Sequence, residues 1–477
     1  MLYSCGVCVR HTRIQREVGF YLMEREHLGS RLGFILLSAG CAIGLGNVYR
    51  FPMKAGQYGG GAFVLVYVLC LVLLGLPVMV MEFSLGRAAQ KSPVYIYKTL
   101  TPEKKAWNIH GFVTPFGNIL LMMFYTTIAG WILRYFFKAA TGVFVGMDSE
   151  AVTGEFVSML SDPWTMLIYT AVIAFLACFV CSFSLQKGLE RITKYMMVAL
   201  LLLMVALAVY GLTLDGAKEG IKFYLEPDFS KINGNVISEA MNQAFFTLSL
   251  GIGSMAIFGS YLGKERSLTG ESLSIIVLDT FVALTAGLIV FPACFSYGIE
   301  PNEGAGLLFL TLPNVFNNIP GGRFWGALFF IFMTFAAFST VLAVYENIIA
   351  CGSEVFKWSR KKTAWIVCVM MIVLNIPFIL GNNVWSGFHA FGIEGKDVSD
   401  LEDFFVSTLM LPLGSLTYVL YCTRKWGWGF KNFTEEANTG KGLKFPKWMK
   451  GYVTYVLPII ILTVFVLGIL SYFGIGK

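Results

Sequence analysis

Two short segments of the chain pair glycines with a small polar residue, and this pattern could hold an ion. They read Ile43-Gly-Leu-Gly-Asn47 and Leu250-Gly-Ile-Gly-Ser254. A glycine inside a helix costs roughly 1 kcal/mol relative to alanine, so each pair predicts a helix interruption. An unwound stretch frees backbone carbonyls for a cation, and the adjoining helix N-termini attract an anion. Close contact between helices is the alternative explanation of either glycine pair taken alone.

Asp279 is a third candidate, because it is a carboxylate within a long apolar segment, 272–298, that contains no lysine or arginine. A carboxylate inside a membrane is costly and is normally paired with a cation, so it is a functional candidate by default. Since its own segment has no basic residue, a bound sodium ion is the favoured partner. A protonated, hydrogen-bonded aspartate is the alternative.

Long apolar blocks are the elements that must position these residues. Hydrophobic residues make up 56% of the 477 residues and charged residues 14%, against about 25% charged in typical soluble domains. A helix needs about 20 mostly apolar residues to cross a bilayer, and the sequence predicts an all-α integral membrane protein with about 11 transmembrane helices. The predicted spans are 31–56, 61–86, 112–142, 163–183, 189–212, 238–262, 272–298, 323–353, 363–381, 402–422 and 450–474.

The two glycine-rich segments fall in the middle of the first and sixth spans. Paired interruptions in corresponding helices of two halves indicate the binding site of a transporter. Irregular backbone at membrane depth is tolerated only where protein buries it or where it lines a cavity. The pair of interruptions therefore predicts a transporter with a site between the two breaks.

The distribution of charge predicts the orientation of the chain. The net charge is +7, and the connections after the even-numbered spans are basic, as at Arg87, Lys264 and Lys357. The connections after the third and seventh spans are acidic or mixed, as at Glu150 and Glu300. The positive-inside rule predicts a multi-pass protein of the cell (inner) membrane, with a cytoplasmic N-terminus and an external C-terminus. Because the basic runs flank spans, no nucleic-acid partner is expected.

Several function classes are not expected from this sequence. The ten cysteines are scattered and the four histidines are dispersed, which gives no disulfide framework and no metal cluster for an enzyme. A channel would need a repeated filter sequence or a ring of identical charges, and neither is present. The first residues lack the apolar core of a cleavable signal, so 1–24 is predicted as a cytoplasmic tail and 25–477 as the transporter domain.

The segment Arg31 to Pro52, followed by Gly59-Gly-Gly-Ala-Phe63 and by Phe245-Phe-Thr-Leu-Ser-Leu-Gly251, resembles the signatures of the neurotransmitter:sodium symporter family. The resemblance implies a LeuT-type fold, with a 5+5 inverted repeat over 31–212 and 238–422 and discontinuous helices 1 and 6. An eleventh helix is expected at 450–474, and a total of eleven spans rather than twelve resembles the bacterial branch. The implied function is a sodium-coupled symporter that imports an amino acid by alternating access. A sodium-independent or proton-coupled amino-acid carrier on the same fold is the alternative.

The resemblance also implies sites for one or two co-transported sodium ions. The first site is expected to use Ala42, Asn47, Thr247 and Asp279, completed by the substrate carboxylate. The second is expected to use Gly40, Ile43, Ala336, Ser339 and Thr340. Hydrogen bonding of Ser339 and Thr340 to their own helix is the alternative for these two hydroxyls. No chloride is expected, because the Asp279 carboxylate provides fixed negative charge.

The same resemblance implies a substrate pocket between two gates, in a monomer or weak dimer within the lipid bilayer. The expected pocket residues are Cys41, Ala42, Leu45, Gly46, Leu121, Tyr125, Phe246, Thr247, Ser249, Ile252 and Val344. The expected outer gate is Arg50 with Asp403 and Gln243 between them, and the inner gate is Arg25 with Glu354 and Tyr261. Gly44 stands where amine-carrying relatives have an acidic residue, so the expected substrate is an amino acid, apolar or aromatic in its side chain.

Overall fold

The computed structural model describes residues 28–298, 307–317 and 320–474. Within these ranges the secondary structure is helical, with no strand beyond a single bridge between Arg266 and Lys441. The predicted tail 1–24, the gate residue Arg25 and the acidic Glu300 lie outside the described residues. The helices are α1 Arg31–Ala42, α2 Gly46–Gln57, α3 Gly61–Ala89, α4 Pro93–Leu100, α5 Lys105–Thr141, α6 Ser149–Ser161, α7 Pro163–Cys181, α8 Gly188–Gly211, α9 Ala217–Leu225, α10 Gly234–Thr247, α11 Ser254–Gly259, α12 Leu268–Ser296, α13 Leu312–Asn317, α14 Gly322–Phe356, α15 Arg360–Gly381, α16 Val398–Thr423, α17 Phe430–Ala437 and α18 Met449–Tyr472.

Long apolar helices dominate the described part of the chain. Nine of them are long and apolar enough to cross a membrane, and α1 with α2 forms a further candidate span, bent by 51°. The two halves of the predicted sixth span, α10 and α11, are 14 and 6 residues long. Together these helices follow the order of the eleven predicted spans, and the expected all-α membrane architecture is confirmed.

Polar residues begin several of these helices by capping free backbone N–H groups. The Ser30 side chain accepts from the Gly33 N–H at the start of α1, and Asn233 accepts from the Val236 N–H at the start of α10. At α16, Asp397 and Asp400 form a reciprocal capping box. Such caps satisfy donors that the first turn leaves free, and they fix where each helix begins.

The first span breaks at Ile43, whose backbone is extended after the last turn of α1. Gly44 follows, and a Cβ at this position would collide with the Thr340 and Tyr125 hydroxyls. Glycine is therefore required here by close approach of α14 and α5, and α2 starts again with a π-helical turn at Gly46.

The sixth span breaks over Leu248–Gly253, where three residues have left-handed backbone. The φ angles are 49° for Ser249, 91° for Gly251 and 74° for Gly253. These angles are incompatible with a continuous right-handed helix, so α10 ends and α11 restarts in a new direction. The loop is supported from α3, where the buried Glu82 carboxylate accepts a 2.6 Å bond from the Gly251 N–H.

The two breaks lie beside the longest helices of the fold. Helix α14 packs along α5 and also contacts α1, while α12 contacts α1 and the start of α2. Helix α3 packs against α11, and its N-terminal half packs against α10. The carbonyls and N–H groups freed at the breaks therefore face side chains of α3, α5 and α14.

Candidate functional site

A pocket lies between the two helix breaks, with an empty volume of about 320 Å³. That volume counts all the space between the lining atoms, including space open to solvent. Eight of the expected pocket residues line it: Cys41, Ala42, Gly46, Leu121, Tyr125, Phe246, Ser249 and Ile252. Gly44, Thr340 and Leu411 complete the lining.

The other expected pocket residues, Leu45, Thr247 and Val344, are not part of this lining, and their assignment to the substrate site stays a prediction. Leu45 instead lines a second cavity, at the expected outer gate, together with Tyr125 and Phe246. The Thr247 hydroxyl is turned toward Asp279, and Val344 is fully buried one turn beyond Thr340 on α14.

One end of the pocket is polar because of Tyr125 on α5. Its hydroxyl accepts a 2.8 Å hydrogen bond from the Leu45 N–H, at the point where the first span is broken. A tyrosine hydroxyl can also donate its proton to a negatively charged group. The N-terminus of α2 is adjacent, and a helix N-terminus favours anions. A carboxylate is the group that this end of the pocket could bind.

A first cluster of oxygen atoms surrounds Asp279, which is fully buried on α12. Asn47 donates from its amide to Asp279 Oδ1 at 2.8 Å, and the Thr247 hydroxyl lies 3.2 Å from the same oxygen. The Tyr67 hydroxyl donates to the other oxygen at 3.3 Å. None of these described partners is basic. The structure thus brings together three of the four residues expected at the first sodium site, on α2, α10 and α12.

A second cluster joins α14 to the end of α1. The Ser339 hydroxyl lies 3.2 Å from the Ile43 carbonyl and 2.9 Å from the Ala336 carbonyl. The Thr340 hydroxyl lies 3.2 Å from the Gly40 carbonyl. All five residues expected at the second sodium site therefore converge. Sodium, a hard cation, binds such carbonyl and hydroxyl oxygens, by the logic that applies to calcium and magnesium.

On one side of the pocket, at the expected outer gate, Arg50 on α2 forms an ion pair of 3.1 Å with Asp403 on α16. The guanidinium also lies 4.2 Å above the centre of the Phe246 ring. The Gln243 amide donates to the Gly46 carbonyl at 2.7 Å, and its expected place between Arg50 and Asp403 stays a prediction. Ser407, which sequence reasoning missed, accepts from Arg50 and donates to Asp403.

On the opposite side, the expected gate residue Glu354 accepts from the Ser92 N–H at 2.8 Å and faces Lys91 at 3.6 Å. Tyr261 donates to Glu346 at 2.8 Å, and Arg360 forms an ion pair with the same carboxylate. The Glu346–Arg360 pair was not expected from sequence. A glutamate inside the eighth apolar span was the available signal, the same one that drew attention to Asp279.

The model of the "Sodium:neurotransmitter symporter family" matches residues 25–150 and 154–476 of the chain. An uncharacterized sodium-dependent transporter of Bacillus subtilis is 37% identical over 447 residues, which cover 93% of this chain and 98% of the relative. An uncharacterized sodium-dependent transporter of Haemophilus influenzae is 32% identical, with the same coverages of 93% and 98%.

A solved structure, that of MhsT in complex with L-phenylalanine, is also similar. It is 38% identical in sequence and has a TM-score of 0.84, covering 93% of this chain and 99% of that one. The sodium-dependent serotonin transporter of Drosophila melanogaster is a more distant relative, 25% identical over 94% of this chain and 77% of its own length.

Proposed function

Because this chain belongs to the sodium:neurotransmitter symporter family, we propose that it is a sodium-coupled symporter that imports an amino acid by alternating access. The family consists of transporters rather than enzymes, and its sodium dependence and multi-pass membrane architecture extend to this chain. The proposal concerns what the family alone does not specify: the substrate, the ions and the direction of transport.

The convergence of Ser339 and Thr340 on the carbonyls of the broken first span carries the proposal for sodium coupling. Thr340 also lines the substrate pocket. An ion bound at these oxygens would hold α1 against α14 and thereby stabilise the pocket wall. A ligand can shift a conformational equilibrium only by its differential affinity for the two states, and this arrangement provides such a difference.

The pocket composition supports an amino acid with an apolar or aromatic side chain. Leu121, Phe246 and Ile252 provide apolar walls, and a charged side chain among them would cost several kcal/mol to desolvate. Tyr125 and the N-terminus of α2 provide for the carboxylate, and Gly44 leaves no acidic group for an amine. The similar MhsT structure was solved with L-phenylalanine, which agrees with this substrate class.

The ion arrangement supports coupling of sodium to the substrate without chloride. The Asp279 carboxylate lies among Asn47, Thr247 and Tyr67, so it provides negative charge beside the first sodium site. The substrate carboxylate would bind the same ion. Outer closure by Arg50 and Asp403, alternating with an inner gate that includes Glu354, would move substrate and ions across the membrane.

Uptake into proteoliposomes tests the proposal. Labelled L-phenylalanine and L-leucine should accumulate with a sodium gradient, in chloride or gluconate buffer alike, and should not accumulate when potassium replaces sodium. Equal uptake in potassium would favour the sodium-independent or proton-coupled carrier. Accumulation of serotonin without any α-amino acid would contradict the proposed substrate.

A pair of tyrosines on α5 provides a matched variant and control for this assay. Tyr125→Phe should weaken L-phenylalanine binding at least tenfold, because the hydroxyl proposed to bind the carboxylate is removed. Tyr135→Phe should leave binding unchanged, because the Tyr135 hydroxyl is buried with no hydrogen-bond partner among the described residues. Equal effects of the two changes would contradict the assignment of Tyr125.

A further inference from the structure

Asn118 is a fully buried polar residue on α5 that lies one turn before the pocket residue Leu121 and does not itself line the pocket. Its amide donates to the Ile252 carbonyl at 2.7 Å and to the Thr114 carbonyl at 2.8 Å. Its carbonyl accepts a 3.2 Å bond from the Ser254 hydroxyl. One side chain therefore connects α5 to both sides of Gly253 in the broken sixth span.

Ile252 needs an external support of this kind. It lies between Gly251 and Gly253, whose φ angles of 91° and 74° place it in the unwound segment. A residue there lacks the regular helical hydrogen bonds that would fix its direction. The bonds from Asn118 hold the Ile252 carbonyl, and so they help determine how far the Ile252 side chain reaches into the pocket.

Gly117, the preceding residue on α5, lies against the Ile252 side chain. A Cβ added at Gly117 would be 2.8 Å from Ile252 Cγ2 and 3.2 Å from both Met410 Sδ and Met410 Cε. A spacing of 2.8 Å is shorter than side chains tolerate, so Ile252 would have to move. The open space next to Ile252 is the pocket that it lines.

We propose that Gly117 and Asn118 are specificity-determining residues. They set the size preference of the pocket by positioning Ile252 through contacts from α5. Gly117 provides the space into which Ile252 fits, and Asn118 fixes the backbone that carries it. This inference rests on the proposed function, because it concerns the side chain of the amino-acid substrate.

The two residues make opposite predictions for substrate size. Gly117→Ala should push Ile252 into the pocket and lower the affinity for L-phenylalanine at least tenfold more than that for L-valine. Asn118→Ala should weaken the binding of both amino acids and shift the phenylalanine-to-valine affinity ratio toward phenylalanine, because Ile252 can then relax into the vacated space.

The measurement is equilibrium binding of L-phenylalanine and L-valine to the purified full-length protein at saturating sodium, with thermal unfolding recorded for each variant. Matched controls are available. Gly130→Ala introduces a similarly tight Cβ on the same helix against the backbone of α7, at 3.0 Å from the Thr170 nitrogen. Asn375→Ala removes a buried asparagine that bonds α5 at the Met122 carbonyl and Thr127 hydroxyl. Both controls should leave the affinity ratio unchanged, even where they lower the unfolding temperature.

A double substitution tests whether the effect passes through Ile252. Ile252→Ala removes the methyl group that a Cβ at Gly117 would meet, so Gly117→Ala should no longer change the affinity ratio in an Ile252→Ala background. An equal tenfold change in both backgrounds would overturn the proposal, as would an unchanged ratio in Gly117→Ala protein that remains folded. If Gly117→Ala does not fold, Asn118→Ala provides the test. A shift of the affinity ratio toward phenylalanine would support the proposal, and an unchanged ratio or a shift toward valine would overturn it. Wild-type protein that binds neither amino acid would instead contradict the proposed function.

Discussion

Ser339 and Thr340 are adjacent on α14, and their hydroxyls reach different carbonyls of the broken first span. Ser339 also lies 2.9 Å from the Ala336 carbonyl of its own helix. Back-bonding within a helix requires only one such contact. The two hydroxyls also contact the Ile43 and Gly40 carbonyls of the first span. A cation bound between these oxygen atoms would replace those contacts.

We expect Ser339→Ala combined with Thr340→Ala to raise the sodium concentration for half-maximal substrate binding at least tenfold. Two lost oxygen ligands need contribute only about 1.4 kcal/mol in total for this change. The measurement is sodium-dependent binding of labelled L-phenylalanine to purified protein. Thr334→Ala on the same helix is the control, because the Thr334 hydroxyl bonds the Phe330 carbonyl of its own helix. An unchanged sodium requirement in the folded double variant would contradict the assignment of Ser339 and Thr340 to a second sodium site.

Some site residues could be identified from sequence because their type conflicts with an apolar surrounding. Asp279 was found in this way, and Glu82 presents the same conflict in the second span. The role of Glu82 could not be inferred, because the Gly251 N–H that it binds is distant in sequence. The sequence did not indicate that Leu411 lines the pocket or that Ser407 contacts Arg50. A leucine and a serine are ordinary residues of a membrane helix.

The broken helices illustrate what sequence predicts about whole elements. Glycine pairs located both interruptions, and the structure has them at Ile43–Leu45 and Leu248–Gly253. The extent of the second break could not be read from glycine alone, because Ser249 adopts a left-handed backbone with φ of 49°. Its hydroxyl donates to the Cys41 carbonyl in the last turn of α1 at 3.3 Å, a tertiary contact that supports this conformation.

The position of α2 relative to α16 yields a prediction for the outer gate. The Asp403 side chain is 44% exposed and the Arg50 side chain 14%, so water reaches the acidic end of this ion pair. Arg50→Ala should increase, at least tenfold, the rate at which a membrane-impermeant thiol reagent labels Leu45→Cys, which lies in the outer cavity. The background should carry Cys41→Ser to remove the thiol of the pocket.

A second ion pair on the same side controls for general loosening. Lys54 pairs with Glu239 at 2.9 Å, joining α2 to α10 rather than to α16. Lys54→Ala should leave the labelling rate of Leu45→Cys unchanged in the presence of sodium and L-phenylalanine. Equal acceleration by both substitutions would mean that Arg50 and Asp403 do not act as a gate.

At the scale of the whole molecule, the order and apolar character of the spans could be predicted because hydropathy reports membrane depth directly. The residues at which the helices begin and end could not be predicted in this way. The third span was predicted over 112–142, whereas α5 begins at Lys105, because a helix continues into the interface after its apolar stretch ends. The packing of α14 along α5 could not be predicted from the sequence either. Both helices are apolar on most of their surface, so periodicity does not identify one packing face.

The contacts between connections define two faces of the molecule. Arg87 at the end of α3 binds the Arg266 carbonyl after α11 and Glu436 of α17. Arg360 at the start of α15 binds the Phe183 carbonyl after α7 at 2.6 Å. The connections after α3 and α11 therefore lie on the same face as α17, and the connections after α7 and α14 lie together, as the alternation of spans requires. Arg323 in the first turn of α14 instead donates to the Ala140 carbonyl at the end of α5.

The positive-inside rule assigns the face that carries Arg87, Arg266 and α17 to the cytoplasm, because arginine and lysine near span ends are retained there. The test uses a variant with every native cysteine replaced, bearing one new cysteine at a time, in intact bacterial cells. Ser230→Cys, in an exposed connection after α9, should react with a membrane-impermeant maleimide. Lys431→Cys on α17, where the lysine side chain is 86% exposed, should react only after the cells are permeabilised. The reverse pattern would invert the topology. It would also exchange the sides assigned to the two gates, so that Arg50 and Asp403 would close the pocket toward the cytoplasm.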